Sequence, residues 1–216
     1  MQRQQREIAA LKAEIGAIQK QLRDIAELEL RVEELRAEIR KLRGDGPRRR
    51  RRPPPKRAKV TAIKGKLRMK LPSATVLRRP GARPDKRPLS GHLRDFDGFV
   101  LAYWATWCKP CIADGELDKV RKLRRSLRNK NVELISMAID DLDDVRRHAK
   151  ADQWIYPLWQ KSDGHVSMLP RRFVETVGLG LPLFVVVNAR GEIRHYLKSD
   201  LQGDAVDQLV SAASAL

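Results

Sequence analysis

The sequence predicts an α/β fold, a mixed sheet flanked by helices, preceded by a helical stalk and a charged spacer. Three observations predict it. FVLAYWA (99–105) and VELISMAI (132–139) are short, nearly continuous apolar runs, as expected of strands buried on both faces. Between them Leu117, Val120, Leu123 and Leu127 recur at the spacing of one helix face. Further on, LFVVV (183–187) and EIRHYL (192–197) flank the loop residues Asn188–Gly191.

The first two runs and their helix make a βαβ unit, so their strands should lie parallel with a right-handed crossover. The second pair reads as an antiparallel hairpin. Val206, Leu209, Val210 and Ala213 then mark a closing amphipathic helix. These elements place a globular domain at 72–216.

Residues 1–43 carry a different pattern. Ile8, Leu11, Ile15, Ile18, Leu22 and Ile25 alternate steps of three and four, the seam of a coiled coil. Leu28 comes one residue early, and the seam resumes at Val32, Leu35, Ile39 and Leu42. Such a slip changes the supercoil locally without ending the helix. A lone helix with one apolar stripe needs something to bury it against: a homodimer is expected, parallel from the β-branched Val32 and Ile39 at one seam position and Leu35 and Leu42 at the other, with an amphipathic helix folded onto its own domain as the alternative.

Residues 44–71 form the spacer. Gly44–Pro47 ends the stalk; five arginines (48–52), three prolines (53–55), Lys56 and Arg57 follow. Mutual repulsion and missing backbone donors predict a disordered or polyproline-II linker. The chain has 216 residues and a net charge of +18. Residues 44–79 hold 14 Lys/Arg against 1 Asp/Glu, whereas residues 80–216 hold 21 against 18. The basicity therefore belongs to the arm and not to the fold, and suits a non-specific anionic partner, either nucleic acid or a lipid surface. A solvated linker kept open by its own charge is the plainer alternative. The start lacks the apolar core of a secretory leader, and the longest apolar run falls well short of a membrane span. As written, the chain is expected in the cytoplasm; an upstream leader would make it periplasmic or membrane-anchored.

The only two cysteines lie in YWATWCKPC (103–111). A strand ends near Ala105, so Cys108 is expected at the start of the next helix. There free N–H groups and the helix dipole stabilise a thiolate, and cysteines so placed titrate from about 3.5 to 7.5 against about 8.5 unperturbed. Pro110 suits a first helical turn, and Lys109 adds positive charge. Cys111, one turn on, is expected to be the more buried sulfur, leaving Cys108 as the attacking nucleophile and Cys111 as the resolver. A zinc site would need about four ligands, and His92, His148, His165 and His195 show no ligand-like spacing. No metal or other cofactor is expected. A static disulfide would close only a very small loop.

WATWCKPC, its lead-in PLSGHLRDFDGFVLAYWA and the later GLGLPLFVVVNARGEIRHY together resemble the thioredoxin superfamily. The nearest branch is the TlpA-like thiol–disulfide oxidoreductases, which overlap the redoxin (AhpC/TSA-like) grouping. The resemblance covers about residues 72–216 and implies a thioredoxin-like mixed sheet flanked by helices. It makes Cys108 and Cys111 the nucleophilic and resolving cysteines, and Leu181–Pro182 a cis peptide packed against them. The backbone of Leu181 would pair with substrate, and Trp107 would flank the nucleophile. The stretch between Cys111 and Pro182 resembles the helix-and-strand insert of that branch.

The sequence also departs from the family. Ala102 stands where thioredoxin has a buried acid. Asp114 replaces a glutamate frequent after the second cysteine; it would take protons from Cys111, or else cap the helix. Glu116 replaces a proline that often kinks the active-site helix. Leu183 replaces a threonine after the cis-proline, implying a more apolar substrate groove. Trp104, Trp154 and Trp159 read as core.

The expected activity is thiol–disulfide exchange, in the reductase direction, on protein or small-molecule disulfides, with an external electron donor. Two alternatives stand beside it. One is a redoxin-type thiol peroxidase, although Ala105 occupies the position of the threonine in the peroxiredoxin signature. The other is a scaffold in which the globular domain is a passenger.

Overall fold

A computed structural model describes residues 58–216 and six positions of the N-terminal segment, namely 28, 31, 32, 34, 35 and 38. Those six are helical and exposed, and include Leu28, Val32 and Leu35 of the seam region. The other seam residues and the Arg/Pro run at 48–57 lie outside the described residues. Residues 58–216 fall in one compact unit.

The centre of that unit is β4 (Gly98–Trp104) and β5 (Val132–Ala138), every residue of which is buried. Apolar side chains on both faces of a strand require cover on both sides, so the run that reads as continuous in sequence becomes an inner strand. β4 and β5 are parallel, joined by α2 (Asp114–Arg128). On the other flank of β4 lies β7 (Leu183–Asn188), antiparallel, followed by β8 (Glu192–Leu197). The hairpin loop is held by Asn188, whose Oδ1 accepts the N–H groups of Arg190 and Glu192. Gly191 has φ +78°, a conformation that favours glycine. α6 (Ala205–Ser214) closes the fold.

Alternation along the strands separates two cores. Val100, Ala102, Phe184 and Val186 face α2 and α6 through Val120, Leu123, Leu127, Val206 and Leu209. Phe99, Leu101, Tyr103, Leu183 and Val185 face the opposite way. There they meet α1 (Leu89–His92) and α5 (Arg171–Val177) through Leu89 and Phe173. Helices thus cover both faces of a mixed sheet, and β5-β4-β7-β8 with α2 and α6 is a thioredoxin-like core.

The sheet extends beyond that core to eight strands, in the order β1-β8-β7-β4-β5-β6-β2-β3. β6 (Leu158–Gln160) pairs parallel to β5, and α3 (Leu142–Arg147) with the short α4 (Gly164–Ser167) completes the insert. β2 (Ser73–Leu77) and β3 (Asp85–Pro88) form an antiparallel edge. At the opposite edge β1 (Thr61–Arg68) pairs with β8. β1 lies within the stretch 44–71 expected to be spacer. Its alternating Lys64, Lys66 and Arg68 suit an exposed edge, where charge discourages further strand pairing. Gln208 of α6 ties the entry to this strand, accepting the N–H of Val60 at 3.0 Å.

Leu183 differs from its expected place. It is buried in the core opposite Tyr103 and does not line a surface groove.

Candidate functional site

At the C-terminal ends of β4 and β5 a third apolar cluster forms around the cysteines. It contains Trp104, Ala105, Cys108, Cys111, Leu117, Ala138, Val145, Trp154 and Leu158, with Leu181 packed against it. Ends of parallel strands are where α/β sheets place their sites, because the chain leaves the sheet there in loops. Cys108 and Cys111 form a disulfide with Cα atoms 5.3 Å apart. The Leu181–Pro182 peptide is cis, and Pro182 and Cys111 line the same small cavity. The two sequence signatures, far apart along the chain, therefore meet in space.

The local backbone departs from expectation. Cys108 does not begin a long helix. Its N–H donates to the Ala105 carbonyl, and the N–H groups of Cys111 and Ile112 both donate to the Cys108 carbonyl, which closes one isolated turn. Ala113 is extended (φ −61°, ψ 140°), and α2 starts only at Asp114. The break shows in the hydrogen bonds of Ile112 and Glu116. A continuous helix would give its carbonyl to the N–H of Glu116. Instead that carbonyl accepts Lys150 Nζ at 3.1 Å, and Glu116 N–H donates to Ala113. The electropositive end of α2 thus lies beyond Cys111, and Cys108 has only a single turn of amides around it.

Burial does not distinguish the two cysteines as expected, since each is 5% exposed. Their surroundings do. Cys108 is flanked by Trp107, 68% exposed, and by exposed Lys109 and Pro110. Cys111 faces inward, onto a cavity of about 20 Å³ lined also by Ala102, Glu116, Ser136, Trp154 and Pro182. Asp114 points away from it; its carboxylate is 78% exposed and pairs with Lys150 Nζ.

Three features of the site were not read from sequence. Glu116 is only 4% exposed. Its Oε1 accepts the N–H of Leu201 at 2.7 Å, and Lys119 Nζ stands 3.6 Å from Oε2. Burial raises its carboxyl above the ordinary range, against the Leu201 hydrogen bond and the Lys119 charge. A signal existed: Glu116 precedes Val120, Leu123 and Leu127 on their own helix face. Asp140, buried after β5, accepts the N–H of Thr106 at 2.6 Å and so fixes the turn leading into Cys108. Trp104 and Trp154 are core, as read, but their rings meet tilted at 49°, centroids 4.8 Å apart, in the cluster that holds the cysteines. Trp104 Nε1 donates to Ser136 Oγ and Trp154 Nε1 to the Val145 carbonyl.

Among the described residues no cluster of three or more His, Cys, Asp or Glu is placed to hold a metal ion. Nor is any helix there long and apolar enough to cross a membrane.

Fold and site together define a thioredoxin-like domain with a vicinal cysteine pair at the head of its central strands. The chain belongs to the AhpC/TSA family, whose sequence model matches residues 84–196, more than half of it. It is 25% identical over 120 residues to the thiol-disulfide oxidoreductase ResA of Bacillus thuringiensis subsp. konkukian, covering 54% of this chain and 64% of that protein. It is 27% identical over 116 residues to ResA of Oceanobacillus iheyensis, covering 51% and 54%. The chain thus spans less than two thirds of either relative. Among solved structures, a thiol:disulfide interchange protein of Chlorobium tepidum TLS aligns with TM-score 0.46 and 18% identity, over 68% of this chain and 97% of that one.

Proposed function

We propose that the protein is a thiol–disulfide oxidoreductase that reduces disulfides by dithiol exchange through Cys108-Lys109-Pro110-Cys111. The observation that carries this reading is the Cys108–Cys111 disulfide standing between exposed Trp107 and buried Pro182. Family membership and the names of the curated relatives support the same chemistry.

In the reduced protein, the Cys108 thiolate attacks one sulfur of a substrate disulfide. A Cys108–substrate bond forms, the substrate S–S bond breaks, and the first substrate thiolate leaves and takes up a proton. Cys111, once deprotonated, attacks Cys108 Sγ. The intramolecular disulfide forms and the second substrate thiol departs. The substrate gains two electrons and the cysteine pair loses two; an external dithiol resets the pair. Lys109 keeps positive charge beside the nucleophile. Trp107 and Leu181 form the surface against which a substrate segment lies, with Pro182 packed beneath it and the Leu181 backbone available to it. The substrates in this reading are protein or small-molecule disulfides. Residues 1–43 would pair two copies as a coiled coil, and the arm at 44–57 would reach an anionic surface.

The test is turnover of insulin disulfides with an electron donor supplied. Cys108→Ser should abolish it, and Cys111→Ser should accumulate a mixed disulfide at Cys108. Unchanged turnover in Cys108→Ser would overturn the mechanism. Peroxide consumption faster than that of a free thiol would favour the peroxidase alternative.

A further inference from the structure

Cys111 must lose a proton before it can attack, and its own turn carries the cation Lys109 but no carboxylate. Asp114, nearest in sequence, is turned to solvent and engaged by Lys150. The wall of the Cys111 cavity holds one ionisable carboxylate, Glu116, carried there by the first turn of α2. The remaining lining is largely aromatic and aliphatic; Ser136 and Tyr103 bring the other hydroxyls, and the Ser136 hydroxyl already accepts Trp104 Nε1–H. Because the cavity measures about 20 Å³, it can hold one water, which needs at least about 10–15 Å³.

We infer that Glu116 is the general base that takes the proton from Cys111 during resolution of the mixed disulfide, directly or through one water in their shared cavity. The inference rests on the dithiol-exchange reading above. In this step the Glu116 carboxylate becomes a carboxylic acid and Cys111 a thiolate. The thiolate forms the Cys108–Cys111 bond, and the departing substrate sulfur carries away the electron pair of the broken bond. Glu116 later returns its proton to solvent or, on re-reduction of the pair, to Cys111.

The groups around Glu116 suit this use. Lys119 on the same helix and Asp200 in the β8–α6 loop act on it in opposite senses, and the Leu201 N–H steadies Oε1. Burial brings the carboxyl closer to a thiol in proton affinity, the condition for efficient transfer. Ala102 on β4 and Trp154 in the insert offer no competing base.

The experiment is stopped-flow mixing of the reduced, full-length protein with 5,5′-dithiobis(2-nitrobenzoate). Attack by Cys108 releases one thionitrobenzoate, and resolution by Cys111 releases the second. Glu116→Gln keeps an oxygen for the Leu201 N–H. It should slow the second release about 100-fold near neutral pH, within the usual range for losing a general base, and leave the first unchanged. The wild-type second phase should follow two ionisations with pH and the variant's only one. Asp114→Asn should alter neither phase. A second release unchanged in Glu116→Gln would overturn the inference, as would a wild-type profile following the thiol alone should the variant fail to fold. Absence of any fast release from the wild type would instead count against dithiol exchange itself.

Discussion

The Asp140 carboxylate accepts the backbone N–H of Thr106 at 2.6 Å, joining the end of β5 to the turn that carries Cys108. The bond is part-buried, and a hydrogen bond to a charged group contributes about 1.5–3 kcal/mol. Asp140→Ala should therefore lower stability by about 2 kcal/mol in urea unfolding and slow Cys108 alkylation by displacing its turn. Asp140→Asn, which keeps an oxygen acceptor, should recover most of the stability. Equal behaviour of Ala and wild type would show that the contact holds nothing.

Arg124 is the second clamp. It donates to Glu133 Oε1 at 3.2 Å and also to the Tyr156 carbonyl, tying α2 to β5 and to the insert. Glu133 is buried within a strand and so depends on this partner. Breaking such a pair from one side costs about 3–5 kcal/mol. Arg124→Ala should fall at the lower end, because Arg128 remains 3.7 Å from the other carboxylate oxygen. Denaturant midpoints of the single variants decide it.

Gly98 opens β4 where a Cβ would lie 2.6 Å from the Val187 carbonyl oxygen. Backbone, unlike a flexible side chain, cannot move aside cheaply. Gly98→Ala should cost about 1–3 kcal/mol, read as a lower Tm, with the cysteine chemistry intact.

Acid stability follows from three histidines. Burial lowers His92, His165 and His195 below the ordinary value, with Glu133 opposing at His92. The unfolded chain then binds protons that the folded chain refuses. This contribution is fully present above about pH 6.5 and is lost as pH falls through the lower folded values. Glu116 has the opposite sign, since its raised carboxyl favours the folded state once protonated. Glu116→Gln should accordingly raise Tm at neutral pH and lose that advantage in acid. Thermal unfolding between pH 4 and 8 checks both.

What was legible in the sequence was what one segment encodes by itself. β4, β5 and β7 are apolar on both faces, so their runs announce inner strands; α2 and α6 each carry one apolar stripe. β1 was not legible. Its Lys64, Lys66 and Arg68 read as a continuation of the basic arm, and only pairing with β8 makes it a strand. β6 is three residues long and exists through its neighbours β5 and β2. In the site, the cysteines could be named because thiols carry the chemistry, and Pro182 because GLGLPLFVVVNARGEIRHY resembles the family's second signature. The break at Ala113 could not, since the lysine that takes up the freed Ile112 carbonyl, Lys150, lies far along the chain. Glu116 was visible as a charge on an apolar stripe, but its burial comes from Leu201 and its role from the cavity it shares with Cys111.

The most direct test follows the electrons. Reduced protein is incubated with a disulfide-bonded substrate, then Cys108 and Cys111 are alkylated and quantified by mass spectrometry alongside the thiols gained by the substrate. Dithiol exchange predicts that both cysteines leave the alkylatable pool together, one pair for each substrate disulfide opened, and that Cys108→Ser stops both changes. Substrate reduction that proceeds while Cys108 and Cys111 remain alkylatable would contradict the account.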